Sequence, residues 1–157
     1  MSDELTTEHI EQPRKATLRQ RIREVVDGKQ DTVLVPEWAD ITEDGQPPRF
    51  VVKSMNGKER AGYLKAAVDD EGNPNFEAIY PQLLIATTYE AVEKPVDPDD
   101  PANSEVYYEA GDKVFRSGDE DWLNDKNAAA VERIAKVAMK LSGMDGKAAD
   151  EAGKASS

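Results

Sequence analysis

The most regular pattern in the chain is an amphipathic helix near its carboxyl end, over about residues 126–142 and followed by the helix-stopping Gly143. Its apolar residues recur at helical spacing, and charged residues occupy the opposite side. The apolar side consists of Val131, Ile134, Ala135, Ala138 and Leu141, and the charged side of Glu132, Arg133, Lys136 and Lys140. Because a helix gains most of its stability by burying such a face, either the rest of the chain or a partner must cover it.

Shorter patterns upstream predict two β-hairpins and four further helices. The first hairpin joins residues 32–35 to 49–53 across a segment rich in turn formers, and the second joins 106–108 to 113–115 across 109–112. Residues 93–105 are acidic and rich in proline, which predicts a loop. The predicted helices cover about residues 18–27, a segment capped by Asn56, a central apolar segment from Phe76 or Pro81 to Val92, and a short turn through Trp122 and Leu123.

Capping residues mark the starts of three of these helices. The pairs Thr17 with Gln20, Asn56 with Glu59 and Ser117 with Glu120 have the spacing of a capping box, in which the two side chains bond each other's backbone N–H groups. For the helix that follows Asn56, the predicted buried stripe is Ala61, Leu64, Ala67 and Val68.

These elements predict an α+β fold that is mainly α: a small helical domain with an N-terminal β-hairpin, a short second hairpin and disordered termini. Residues 14–143 form the predicted single domain. Residues 1–13 are polar without periodicity, and residues 144–157 are mostly Gly, Ala, Lys, Asp and Ser, so both segments are predicted to be disordered.

The charge of the chain bears on its partners. Twenty basic residues face 32 acidic ones, which gives a formal net charge of −12 and a pI near 4.5. Binding to nucleic acid or to an anionic membrane gains from neutralising phosphate charge, and this chain lacks the cations to do so. We therefore expect no nucleic-acid and no membrane partner. No apolar run exceeds four residues and no signal-peptide pattern opens the chain, so we expect an intracellular protein.

Catalytic, metal-binding and cofactor-binding patterns are missing from the sequence. The chain has no cysteine, and its one histidine, His9, lies in the predicted disordered lead without a positioned partner. The acidic loops that begin at Asp69 and Asp97 lack the ligand spacing of a calcium-binding EF-hand. No phosphate-binding loop, dinucleotide motif or nucleophile elbow occurs. We expect no enzyme activity, no catalytic residue, no cofactor and no metal.

Apolar side chains that could contact a partner lie in four places. The two tryptophans, Trp38 and Trp122, each adjoin a predicted turn, where tryptophan either caps a small core or contacts another protein. The helices at 18–27 and 126–142 present apolar stripes that could hold a client helix, although the stripe of the last helix is better explained as the domain's own core. The candidate protein-binding residues are Leu18, Ile22, Val26, Trp38, Trp122, Val131, Ile134 and Leu141.

Taken in order, several segments resemble the tail assembly chaperones of long-tailed bacteriophages. The resemblance covers about residues 30–145, and its most specific part is 114–144. It rests on the segments Val35-Pro36-Glu37-Trp38, Phe50-Val51-Val52-Lys53, Met55-Asn56-Gly57-Lys58-Glu59-Arg60, Leu83-Leu84-Ile85-Ala86, Gly111-Asp112-Lys113-Val114-Phe115, Asp119-Glu120-Asp121-Trp122-Leu123, Asn127-Ala128-Ala129-Ala130-Val131-Glu132-Arg133-Ile134-Ala135 and Leu141-Ser142-Gly143. The acidic insert at 93–109 departs from the family, which usually has a tighter turn there.

The resemblance implies a protein that acts without catalysis. It would bind the tape measure protein and keep that long, helix-rich, hydrophobic chain soluble while tail tube subunits polymerise around it. It would work in the host cell cytoplasm and be absent from the mature virion. The family also suggests contact with the tail tube protein and a longer form of the chain made by ribosomal frameshifting.

Two other classes of function compete with this interpretation. A structural virion protein, such as a head–tail or tail tube component, would need an ordered surface for ring assembly. An acidic inhibitor that mimics DNA would need carboxylates at phosphate spacing on a rigid surface, whereas the acids here are concentrated in predicted loops.

Overall fold

The structure is a computed structural model and describes residues 16–144. The predicted disordered segment 1–13 and the tail from residue 145 onward lie outside the described residues, whereas Met144 is described and packs against the core. The elements are α1 (Leu18–Glu24), β1 (Gln30–Leu34), a 3-10 helix (Pro36–Ile41), β2 (Arg49–Lys53), α2 (Gly57–Ala66), α3 (Phe76–Thr87), β3 (Thr88–Pro95), β4 (Val106–Lys113), α4 (Glu120–Asn124) and α5 (Ala128–Leu141).

The four strands form one antiparallel sheet in the order β1-β2-β3-β4. The prediction of a mainly α fold with two separate hairpins was therefore wrong. Strand β2 pairs with β3 from Phe50 opposite Glu90 to Val52 opposite Thr88, and this pairing joins the two hairpins into one sheet. The sheet is a full layer of the fold, with α5 packed against β1 and β2 and α3 packed against α5.

The sheet was not predicted because β3 contains several polar residues and lacks the apolar pattern of a typical strand. We expected α3 to continue to Val92, but it ends at Thr87, and Thr88 begins β3 with no loop between them. The predicted tight turn at 109–112 was also wrong, because β4 runs straight through it. Gly111 lies inside the strand under the Val92 side chain, and an added Cβ would lie 2.9 Å from the Val92 Cγ2 atom. The glycine is explained by close packing between strands rather than by a turn.

Beyond β2 the sheet narrows to two strands. We call this part, Ala91–Pro95 paired with Val106–Ala110, the β-ribbon, and residues 96–105 connect its strands. Its apolar residues Val92, Val106 and Tyr107 are each about two-fifths exposed or more. The long acidic segment at 93–105 is thus partly strand and only partly the predicted loop.

The core lies between the sheet and the helices α3 and α5. The prediction of an amphipathic helix near the carboxyl end is confirmed within two residues at each end, and its buried face is Ala130, Val131, Ile134, Ala135 and Ala138. Val33, Phe50 and Val52 from the sheet and Leu83 and Leu84 from α3 complete the centre of this core. Asn127 caps α5 by accepting hydrogen bonds from the N–H groups of Ala129 and Ala130.

Two of the three predicted capping boxes are confirmed. The pairs Thr17 with Gln20 and Asn56 with Glu59 each bond reciprocally. The box at Ser117 was wrong, because α4 begins after Asp119, whose carboxylate accepts from the N–H of Arg116. With the helix start moved two residues along the chain, Glu120 becomes its first residue instead of its third.

The predicted stripe of α2 was also wrong in most of its members. Tyr63 and Ala67 are buried, while the other three residues of that stripe are exposed: Ala61, Leu64 and Val68. Tyr63 and Ala67 belong to the buried core, and burial raises the pKa of the Tyr63 hydroxyl.

Helix α1 is shorter than expected. It ends at Glu24 instead of residue 27, because Val25 is extended (φ −67°, ψ 136°) and caps the helix through its N–H to the Arg21 carbonyl. Val25 and Val26 therefore belong to the link between α1 and β1 and do not continue the helical stripe of Leu18 and Ile22.

Candidate protein-binding groove

An apolar groove opens between the 3-10 helix and α4. Its volume is about 320 Å³, and we call it the tryptophan groove. Six apolar side chains and one lysine line it: Trp38, Ile41, Phe50, Val114, Phe115, Trp122 and Lys126. The structure thus brings together the two tryptophans that the sequence singled out, although 84 residues separate them.

Trp38 is held on one wall by contacts on both sides of it. Its ring meets Phe50 edge-on, with 6.1 Å between centroids and an interplanar angle of 86°. The neighbouring Glu37 pairs with Arg133 of α5, with 2.8 Å between Oε1 and Nε. This ion pair ties the 3-10 helix to α5, so the position of Trp38 depends on two elements distant in sequence.

Trp122 is positioned on the other wall by side-chain hydrogen bonds between α4 and α3, one of which uses a carbonyl that lacks its usual partner in the helix. Pro81 lies inside that helix and has no N–H to donate to the carbonyl of Glu77, four residues earlier. The Asn124 side chain donates to that free carbonyl at 2.8 Å, and Gln82 donates to Glu120 at 2.7 Å. These two bonds fix the short helix α4 on α3, and Trp122 packs on Phe115 with 5.9 Å between ring centroids.

The rim of the tryptophan groove exposes apolar surface. Ile41 is 70% exposed and Trp122 is 42% exposed, while Phe50 and Phe115 form a buried floor. Exposed apolar side chains that converge on a concave surface are typical of a protein-binding site. Sequence reasoning missed Ile41, Val114 and Phe115, because each belongs to a short segment without periodicity and only the fold brings them to one place.

Both walls are acidic. Residues 36–44 hold four acidic side chains and no basic one, and residues 116–126 hold four acidic and two basic ones. The hydrogen bond from Arg133 lowers the pKa of Glu37, so that carboxyl stays ionised at neutral pH. Lys126 is the one basic residue among the described residues that line the groove, with its Nζ 5.8 Å from the centre of the Trp122 ring. The groove therefore favours a partner that is apolar on one side and cationic beside it.

The other predicted binding residues lie elsewhere. Leu18, Ile22 and Val26 are 68%, 62% and 93% exposed on α1 and its link, away from the groove. Val131 and Ile134 are buried in the core and present almost no surface to a partner, so their stripe is the domain's own core.

Leu141 is half-buried at a second, wider recess of about 660 Å³. Val25, Val26, Met55 and Leu141 line it together with polar residues such as Asp27 and Glu59. Its mixed lining makes this recess a poorer apolar binding site than the tryptophan groove.

Residues 16–144 contain no cluster of acidic or histidine side chains that could hold a metal ion. His9 lies outside the described residues. Within the described part of the chain, no helix has both the length and the apolar character needed to cross a bilayer. Comparisons of the chain with protein-family models, with curated proteins and with solved structures found no match.

Proposed function

We propose that this protein is a bacteriophage tail assembly chaperone that binds the tape measure protein and keeps it soluble during tail tube polymerisation, without catalysis. The proposal rests on the sequence resemblance and on one structural observation, the tryptophan groove with its exposed apolar rim. In this proposal the groove is where a client segment binds.

The shape and lining of the tryptophan groove suit one face of an amphipathic client helix. Trp38 and Trp122 offer large, stiff apolar surfaces that gain binding energy without much loss of side-chain entropy. An α-helix presents apolar side chains on one side at intervals of three and four residues, and such side chains could enter the groove between the two rings. Cations flanking that apolar face would meet the acidic walls.

A chaperone must also release its client. The rim of the groove is open to solvent, and only seven of the described residues line it, far fewer than the roughly 20–30 residues that each side contributes to a stable interface. Each contact is therefore weak, and several copies could bind along one long client and leave as the tube grows. The net charge of −12 would keep such a complex dissolved.

The decisive experiment is co-expression with the tape measure protein encoded nearby. The wild-type chain should hold that protein in the soluble fraction and co-purify with it. Replacing Ile41 by serine removes an exposed rim side chain and should abolish co-purification while leaving the fold intact. Leu64→Ser on α2 is the matched control, because Leu64 is 50% exposed and does not line the groove.

Two results would contradict the proposal. The first is a tape measure protein that stays insoluble with the wild-type chain, and the second is equal capture by Ile41→Ser and by wild type. The competing structural-protein interpretation is tested on purified phage particles, from which a chaperone of this kind should be absent. Its presence there in a fixed stoichiometric ratio would favour a head–tail or tube component.

A further inference from the structure

Helix α1 lacks the packing that a helix of its length needs. Every residue from position 16 to position 31 is exposed, and α1 has only seven residues. Isolated helices shorter than about 12–15 residues are only marginally stable in water, even with good caps. Its apolar residues Leu18 and Ile22 are one turn apart on the same side and both are more than three-fifths exposed. A surface that covers this side would stabilise the helix.

The tryptophan groove complements α1 in both polarity and charge. Leu18 and Ile22 would supply apolar side chains to a groove lined by six apolar side chains. The same helix carries three arginines next to these apolar residues in sequence, in a chain that is otherwise strongly anionic. They are Arg19, Arg21 and Arg23. The walls of the groove carry the opposite net charge, with eight acidic and two basic residues in segments 36–44 and 116–126. Matched apolar surfaces with opposite charges beside them are the features of a specific contact.

The two surfaces lie at opposite ends of strand β1. Lys29, where the link ends, is bonded to Ser54 through its N–H and its carbonyl, at 2.9 and 2.8 Å. The 3-10 helix with Trp38 follows the other end of β1, about 16 Å away at about 3.3 Å per residue. The link from Glu24 to Lys29 contains five Cα-to-Cα steps and spans at most about 18 Å when fully extended. The α1 helix would reach its own groove only with this link almost fully extended along β1, whereas another molecule's groove imposes no such constraint on the link.

We propose that α1 of one molecule docks in the tryptophan groove of a second copy of the same chain. The contact is head-to-tail, since one molecule contributes α1 and the other contributes the groove. Repetition of such a contact gives a ring or an open chain of subunits. This inference does not depend on the proposed function. If the groove also binds a client, then α1 and the client compete for it.

The test is the self-association of the full chain by sedimentation velocity over a wide range of concentrations. Wild type should form species larger than a monomer, and these should weaken as salt is raised, because exposed charges at the contact are screened. Ile22→Ser on α1 and Ile41→Ser in the groove should each weaken association at least about tenfold, which corresponds to about 1.4 kcal/mol. Leu64→Ser, at an exposed site on α2, should associate like wild type.

Mixing the two defective variants makes the test specific for a head-to-tail contact. Ile22→Ser keeps an intact groove and Ile41→Ser keeps an intact α1, so the mixture should form a one-to-one dimer that grows no further. A symmetric interface that uses the same face of both molecules would not be restored in this way.

Several outcomes would overturn the inference. One is a wild-type chain that stays monomeric at all concentrations. If its tryptophan fluorescence nevertheless changes in Ile22→Ser, then α1 occupies its own groove. Another is association that neither substitution weakens, which would place the contact on a different surface. Client capture by Ile22→Ser separates this inference from the proposed function, because that variant retains the groove.

Discussion

Replacing Ile134 by alanine should destabilise the fold by about 3–4 kcal/mol. Ile134 is fully buried in the middle of α5. The substitution removes three buried carbon groups at about 0.8 kcal/mol each, and the cavity left in a close-packed core adds to that loss. Domains of this size are stable by about 5–15 kcal/mol, so the change is a large fraction of the total.

Urea unfolding followed by circular dichroism measures this loss. With a slope of about 1.5 kcal/mol per molar urea, the midpoint should fall by roughly 2 M. Ile22→Ala makes the same chemical change on the exposed helix α1 and should shift stability by less than about 0.5 kcal/mol. A loss below about 1 kcal/mol for Ile134→Ala, or equal effects of the two substitutions, would refute the assignment of the α5 stripe to the core.

Three further substitutions probe particular groups. Thr88→Val should raise Tm by about 3 °C, because the buried Thr88 hydroxyl has no hydrogen-bond partner among the described residues, whereas Thr87→Val breaks a bond to a helix carbonyl and should bring no gain. Glu37→Gln should lower Tm at neutral pH, and its difference from wild type should shrink as pH falls below 4.5, since the stability due to a carboxyl with a lowered pKa is lost on protonation. A constant difference would contradict the ion pair. Asn124→Ala should cost about 1 kcal/mol and lower tryptophan fluorescence anisotropy, because the carbonyl of Glu77 loses its donor; unchanged anisotropy would argue against this hold on α4.

The elements that could be predicted from the sequence are those marked by a regular local spacing of residues. The α5 stripe of Val131, Ile134 and Ala138 has the helical repeat, and the boxes at Thr17 and Asn56 have a spacing tied to backbone geometry. These features depend only on residues close together in the sequence, so they can be recognised from a single sequence.

The single sheet could not be predicted in the same way. Residues Glu90, Glu93 and Lys94 of β3 are polar, and the strand is defined by its pairing with β2 and β4 rather than by an apolar alternation. Trp38 and Trp122 were singled out from their residue type, but their convergence depends on contacts between distant elements. The bond from Asn124 to the carbonyl freed by Pro81 is such a contact, and no local pattern reveals it.

The direct junction of α3 with β3 couples the two ends of the molecule. Thr87 and Thr88 are both fully buried, so no flexible hinge lies between the helix and the strand. Strand β3 has eight residues and at about 3.3 Å per residue is roughly 26 Å long, so a tilt of about 5° in α3 would swing the far tip of the β-ribbon by roughly 2 Å. Since α4 is bonded to α3 beside the tryptophan groove, we expect a tilt of α3 at the groove to displace the tip of the β-ribbon by more than it displaces α4.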